Sequence, residues 1–297
     1  EAIQKAVRML NIGAKGLSRH PYNFKNPITE IYPATDRRLY AVYDALRSGK
    51  TIDELHEVSK IDRWFLSQLK HILDVERDLE IKNLDKELLK KAKQHGFSDN
   101  VIGDLQKSSE ETIRKKRHSL GILPVFKQID TLAGEFDAET NYLYATYHGT
   151  THDIGPLRKK ASIILGSGPY SIGSSVEFDW SAVNTGKTLQ KHGMKTIMVN
   201  SNPETVSTDF DRSNRLYFEE LTFERIRDIA DFEHPKGIVV SVGGQVANNL
   251  ALPLGKAGYP IMGTAPADID RAEDRQKFSS MLNKLGIDQP TWEEVSS

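Results

Sequence analysis

Residues 161–175 read ASIILGSGPYSIGSS, in which Ala161-Ser162-Ile163-Ile164-Leu165 runs straight into a loop of glycine and serine. A short apolar run bounded by glycine predicts a strand buried on both faces. The same grammar repeats downstream. The spacing predicts a helix over 183–192 ended by Gly193, a second strand over 195–200 and a helix over 223–232. A third strand over 237–242, a helix over 248–257 and a last short strand at Ile261-Met262-Gly263 follow. Strands alternating with helices in this way imply a parallel sheet covered on both faces, and in such a sheet the working loops lie at the carboxyl ends of the strands.

Four loops fall at that edge: 166–175, 200–205, 243–245 and 263–266. Gly166, Gly168 and Gly173, then Asn202, then Gly243, Gly244 and Gln245 are its candidate residues, because small residues let main-chain N–H groups approach an anion or nucleotide closely. A dinucleotide fingerprint would need glycine where Ser171 stands and an acidic residue where Asn200 ends the second strand. A Walker A loop would need a lysine, and Gly168-x4-Gly173-Ser174-Ser175 lacks it. Gly186-Lys187-Thr188 lacks the upstream glycine, since Ser181 takes its place. Glu177 and Glu204 sit just beyond strand ends; each either lines a polar path or acts as a base, or else caps a neighbouring helix or loop. The residues alone leave both readings open.

Upstream, residues 36–121 read as a succession of short helices. Asp36 is a candidate N-cap for a helix over 37–48 with Leu39, Ala41, Val42, Ala45 and Leu46 on one stripe, and Gly49 ends it. Thr51 with Glu54 has the form of a capping box. Asp62 opens a longer helix whose apolar face includes Trp64, Phe65, Leu66, Leu69, Ile72, Leu73 and Val75, a face expected to be core. A helix after Asp85 closes at Gly96, Ser98 starts another, and Ser108 with Glu111 repeats the capping-box spacing before Gly121. The basic run Arg114-Lys115-Lys116-Arg117 suits a solvated last turn. His56, His71, His95 and His118 are scattered at helix surfaces or ends, not in the converging pairs a metal site needs. Tyr142–Tyr147 shows β-type alternation, and the turn-rich stretch 148–156 is the expected linker.

Composition narrows the function classes. A chain of 297 residues suggests two folding units. Net charge is -1, with 27 Lys and Arg against 23 Asp and Glu over residues 1–160 and 13 against 18 over 161–297, so neither half is a nucleic-acid-binding module. No run approaches the roughly 20 apolar residues of a membrane helix. The absence of cysteine excludes disulfides, thiolate catalysis and Cys-ligated zinc, and leans towards a cytoplasmic setting. EAIQKAVRML starts without Met in an amphipathic helical pattern, which is no secretory signal and suggests a piece of a longer chain.

Several longer motifs resemble the large subunit of carbamoyl phosphate synthetase. They are residues 173–180 (GSSVEFDW), 199–211 (VNSNPETVSTDFD), Arg215-Leu216-Tyr217-Phe218, Gly243-Gly244-Gln245 and 269–275 (IDRAEDR). Residues 61–66 (IDRWFL) and 127–131 (KQIDT) are similar to that family's oligomerization domain, and Glu1–Leu10 to the tail of its first synthetase half. The fold the resemblance implies is α + α/β. Residues 1–17 would be the tail of the first half, 18–157 an all-helical oligomerization domain, and 158–297 a Rossmann-like parallel-sheet pre-ATP-grasp domain.

In that family the first half makes carboxyphosphate from bicarbonate and ATP, and glutamine-derived ammonia converts it to carbamate. The second half then phosphorylates carbamate with another ATP, for pyrimidine and arginine biosynthesis. The resemblance implies that Glu177, Glu204 and Ser175 lie along the carbamate tunnel into the second half, with Glu1 at its exit from the first. Many members carry Arg or His where Ser171 stands, and some carry glycine where Ser175 stands. ATP, magnesium and potassium belong to the full-length enzyme. The chain itself is expected to bind no cofactor or metal, to hold no catalytic residue and to be inactive alone. The implied partners are the rest of the large subunit with its ATP-grasp domains, a glutaminase subunit or domain, and further copies of the chain in a homo-oligomer, with neither nucleic acid nor membrane. The competing reading is a Rossmann-like module for a small anionic ligand with a helical protein-interaction domain.

Overall fold

The computed structural model describes residues 1–171 and 176–292. The chain forms two compact units, Glu1–Lys127 with Tyr144–Ile154 and Gln128–Leu143 with Gly155–Ser297.

The first unit is built on α1 (Ala2–Met9), α2 (Arg38–Arg47), α3 (Ile52–Ser59), α4 (Arg63–Ile81), α5 (Lys86–Gln94), α6 (Asp99–Leu105) and α7 (Glu110–Ser119). Local chemistry sets most of the starts. Thr51 and Glu54 form the reciprocal capping box, with Glu54 N donating to Thr51 Oγ1 at 3.2 Å and Thr51 N to Glu54 Oε2 at 2.8 Å. Asp62, Asp85 and Ser98 cap α4, α5 and α6 as expected. At α7 the cap is Ser109, not Ser108, because its hydroxyl accepts from Thr112 N. At α2 the cap position is Arg37, and no side chain caps it.

α4 is the spine, packing on α2, α3, α5 and α6. Leu66, Leu69, Ile72, Leu73 and Leu79 are buried, each worth about 1.5–3 kcal/mol against exposure. Trp64 and Phe65 are not core: they are 62% and 58% exposed. Trp64 stands roughly 160° around the helix from Leu66 at ~100° per residue. Glu76 lies on the buried stripe instead, its carboxylate accepting from Tyr43 Oη at 2.6 Å and Arg47 Nη2 at 2.7 Å. Burial and the Glu76 charge push the Tyr43 hydroxyl far above the phenol range, so it stays a donor.

The basic run on α7 also departs from the solvated reading. Arg114 and Arg117 are buried. Arg117 Nε donates to Asp99 Oδ2 at 2.6 Å and Lys93 Nζ to Asp99 Oδ1 at 2.9 Å, with the three side chains at most 2% exposed. A helical period puts 114 and 117 on one face and 115 towards water; charge counting does not see that face.

Strands β1 (Val125–Gln128) and β2 (Tyr142–Thr146) follow, then β3 (Ala161–Leu165), α8 (Val176–Lys191), β4 (Lys195–Asn200), β5 (Arg215–Phe218), α9 (Phe223–Glu233), β6 (Ile238–Val239), α10 (Gly244–Asn248), α11 (Ala251–Lys256), β7 (Ile261–Met262), α12 (Pro266–Glu273) and α13 (Arg275–Leu285). The strand order is β1-β2-β5-β4-β3-β6-β7. The pairs β2–β5, β5–β4, β4–β3, β3–β6 and β6–β7 are parallel. All five residues of β3 are buried, the mark of a strand covered on both faces.

Three sequence expectations shift. The helix expected from 183 is already formed at Val176. The strand expected over 237–242 is only Ile238–Val239. The helix expected over 248–257 is the shorter α11 (Ala251–Lys256), preceded by the separate α10 (Gly244–Asn248). Strands β1 and β5 have no counterpart among the expected elements. Glu233, fully buried, ties β5 down: Arg215 Nη1 donates to it at 2.6 Å, and Leu157 N at 2.8 Å.

Candidate functional site at the carboxyl edge of the sheet

Parallel pairing sends every strand of the second unit to the same edge, and β3 lies between β4 and β6. The loops after Leu165, Asn200 and Val239 are therefore neighbours. Their approach is close enough to dictate residue type. A Cβ on Gly166 would lie 2.5 Å from Asn200 Cγ, and one on Gly243 would lie 2.5 Å from the Gly166 carbonyl oxygen and 2.6 Å from that of Leu165. A larger residue would displace the Asn200 side chain at the first place and backbone at the second.

Asn200 organises the edge. It is fully buried. Its Oδ1 accepts from the N–H groups of Gly168 at 3.0 Å, Ser201 at 2.9 Å and Asn202 at 3.4 Å, while Nδ2 reaches Ser207 Oγ at 3.5 Å. Asn202 repeats the device one step on, its Oδ1 accepting from Glu204 N at 2.9 Å. From α8, buried Asp179 accepts from Ser207 N with both oxygens at 3.2 Å. Three short polar side chains thus satisfy loop N–H groups that would otherwise need water or a ligand.

Glu204 is exposed, at the lip of the loop that Asn202 and Asn200 hold, and its carbonyl accepts from Tyr170 Oη at 3.4 Å. Glu177 is also exposed, but it stands in the first turn of α8, not simply beyond a strand end. There the helix dipole favours a carboxylate. Gly168 takes a left-handed φ of 72°. Gly244 packs against the Phe178 ring, and exposed Gln245 donates to Asn249 Oδ1 at 2.8 Å. Gly173 and Ser175 lie outside the described residues. Ser167 Oγ is buried beside Gly168 with no partner among the described residues.

Glu1 belongs to the first unit. Its Oε2 accepts from Thr146 Oγ1 at 2.7 Å and Tyr147 N at 3.3 Å. Among the described residues no group of three or more His, Cys, Asp or Glu side chains is placed to hold a metal, and no helix is long and apolar enough to cross a membrane.

Sequence reading missed Asn200, Asp179 and Ser207. Asn200 enters it only as the absence of an acid. An available signal is the Asn-Ser-Asn-Pro run ending a strand, since asparagine in such a run hydrogen-bonds the backbone two residues on.

Comparison with known proteins adds a second line. Residues 1–121 match the model of the carbamoyl-phosphate synthetase large chain oligomerisation domain, and residues 158–271 match the carbamoyl phosphate synthase preATP-grasp domain. The whole chain is 49% identical to 26% of the length of the arginine-specific large chain, mitochondrial, of Schizosaccharomyces pombe. It is 45% identical to 16% of the multifunctional protein pyr-3 of Neurospora crassa. It is 47% identical to 20% of the mitochondrial carbamoyl-phosphate synthase [ammonia] of Aquarana catesbeiana. The chain thus spans about a quarter or less of the relatives it matches.

Proposed function

The chain belongs to the family of carbamoyl phosphate synthase large chains, and from that membership we propose that it is the segment supplying an association scaffold and part of the wall of a passage for carbamate. The parent activity is ATP-dependent synthesis of carbamoyl phosphate from bicarbonate and glutamine-derived ammonia. The chain's partners are then the ATP-grasp domains of the large chain and a glutaminase, with ATP, magnesium and potassium bound elsewhere in that enzyme. The cytoplasmic placement rests on composition alone, since two of the relatives above are named mitochondrial.

The observation that carries this reading is the edge held by Asn200. Asn200 and Asn202 take up the N–H groups of Gly168, Ser201, Asn202 and Glu204, which favours a shaped polar rim over a phosphate cradle, and Glu177 and Glu204 are both exposed. Such a rim suits a passage that must shield a reactive anion from hydrolysis without binding it tightly. In the intact enzyme, Glu177→Gln with Glu204→Gln is expected to lower carbamoyl phosphate formation roughly tenfold while bicarbonate-dependent ATP hydrolysis stays within about twofold. Equal loss of both activities, or of neither, would contradict it.

For the scaffold role, Trp64 and Phe65 offer exposed aromatic surface on α4, their rings edge to face at 5.0 Å. Analytical ultracentrifugation should show self-association that Trp64→Ser with Phe65→Ser reduces. A monomer at high micromolar concentration in the parent chain would refute that role.

A further inference from the structure

The first unit has a cavity of about 430 Å³ between the start of α5, the segment after α7 and the segment 147–152. One wall is apolar, from Ile122, Leu123, Pro124 and Val125, and Leu123 is half exposed there. Lys86 and Lys90, one helical turn apart on α5, line the other side.

These lysines differ from their neighbours. Lys50, Lys60, Lys70, Lys82, Lys91, Lys93 and Lys127 all pair with carboxylates. Among the described residues neither Lys86 nor Lys90 has a hydrogen-bond or ion-pair partner, and the cavity lining holds no carboxylate. Two uncompensated cations held side by side repel each other, and an anion between them removes that cost.

His152 completes the lining. Phe126 N donates to its Nδ1 at 3.1 Å, and its ring stacks on that of Phe126 at 5.6 Å and 17°. With Nδ1 accepting, the proton of the neutral ring sits on Nε2. Burial, with the Lys127 charge, holds this imidazole below its ordinary range, so neutral is its form at pH 7. The segment is fixed closely against β1, since a Cβ on Gly149 would lie 2.5 Å from Val125 Cγ2.

From two unpaired ammonium groups facing an apolar wall, beside an imidazole of fixed tautomer, we infer that this cavity binds a small organic anion with an apolar body and one phosphate or carboxylate head. This site is separate from the sheet edge and does not rest on the family reading.

Titration of the ¹⁵N-labelled chain with phenyl phosphate tests it. The Gly121, Gly149 and Thr150 amides should shift saturably with a dissociation constant of about 1 mM. Benzoate should act on the same amides, and the ratio of the two dissociation constants tells a phosphate from a carboxylate head. Inorganic phosphate, which lacks the body, and benzamide, which lacks the charge, should each bind roughly fivefold more weakly or worse, the scale set by a single exposed ion pair. Lys86→Gln with Lys90→Gln, both exposed, should weaken phenyl phosphate binding roughly fivefold, and Leu123→Ser should weaken it independently. Lys107→Gln, unpaired but outside the cavity, should leave it unchanged. No saturation by about 20 mM, equal binding of benzamide, equal binding of inorganic phosphate, or unchanged affinity in both cavity variants would overturn the site.

Discussion

The two units each turn on one buried side chain that accepts several hydrogen bonds, and the two differ in charge. In the helical unit that residue is Asp99, an anion between Lys93 and Arg117. At the sheet edge it is Asn200, a neutral amide serving three backbone donors. An ionic hub locks α5, α6 and α7 together, and it tolerates no loss of one partner, because the remaining charges stay buried. A neutral hub shapes a loop without adding charge to it.

Removing the hubs should therefore not cost the same. Asp99→Ala removes the carboxylate that two buried cations share and should destabilise the helical unit by about 3–5 kcal/mol, read by urea unfolding followed at 222 nm. A loss under ~1 kcal/mol would show the cluster to be solvated after all. Asn200→Ala leaves loop N–H groups without an acceptor and should cost roughly 1–3 kcal/mol, with faster hydrogen exchange at Gly168, Ser201 and Asn202. Asn200→Asp keeps the acceptor and should restore that protection; if it does not, the amide is only filling space.

Charge is thus the feature that sequence reads least well here. Periodicity locates β3, β4 and most of α4, and cap chemistry locates the starts of α3 to α6, because these signals are local. Arg117 reads as solvated because a run of four basic residues hides which of them a helix turns inward. Glu76 goes unnoticed on an otherwise apolar stripe, because its partners Tyr43 and Arg47 lie about 30 residues away. The glycines of the edge are legible as a close approach, but Asn200, against which Gly166 packs, is not, since the contact exists only once β3 and β4 pair.

The smallest expected effect sharpens the same contrast at the surface. Hydrogen bonds from the Thr51 backbone, then from Lys50 and the Thr51 hydroxyl, hold the exposed Glu54 carboxyl below its ordinary range. A carboxyl depressed in the folded state stabilises fully above its unfolded value and loses that contribution as pH falls through the folded one. Glu54→Gln should flatten the acid limb of the melting temperature below about pH 4.5, lowering it slightly at pH 7 and changing it least in acid. An unaltered acid limb would mean that the capping box does not titrate with folding.

At the sheet edge Asn200 and Asn202 take up the N–H groups of Gly168, Ser201, Asn202 and Glu204, and on that observation the edge is proposed as a wall and not a phosphate cradle. Isothermal titration of the chain with magnesium-ATP, and with NAD and bicarbonate as companions, tests it most directly. No saturable heat is expected for any of them at millimolar concentration, whereas micromolar binding of ATP that Asn200→Ala strengthens or abolishes would overturn that assignment.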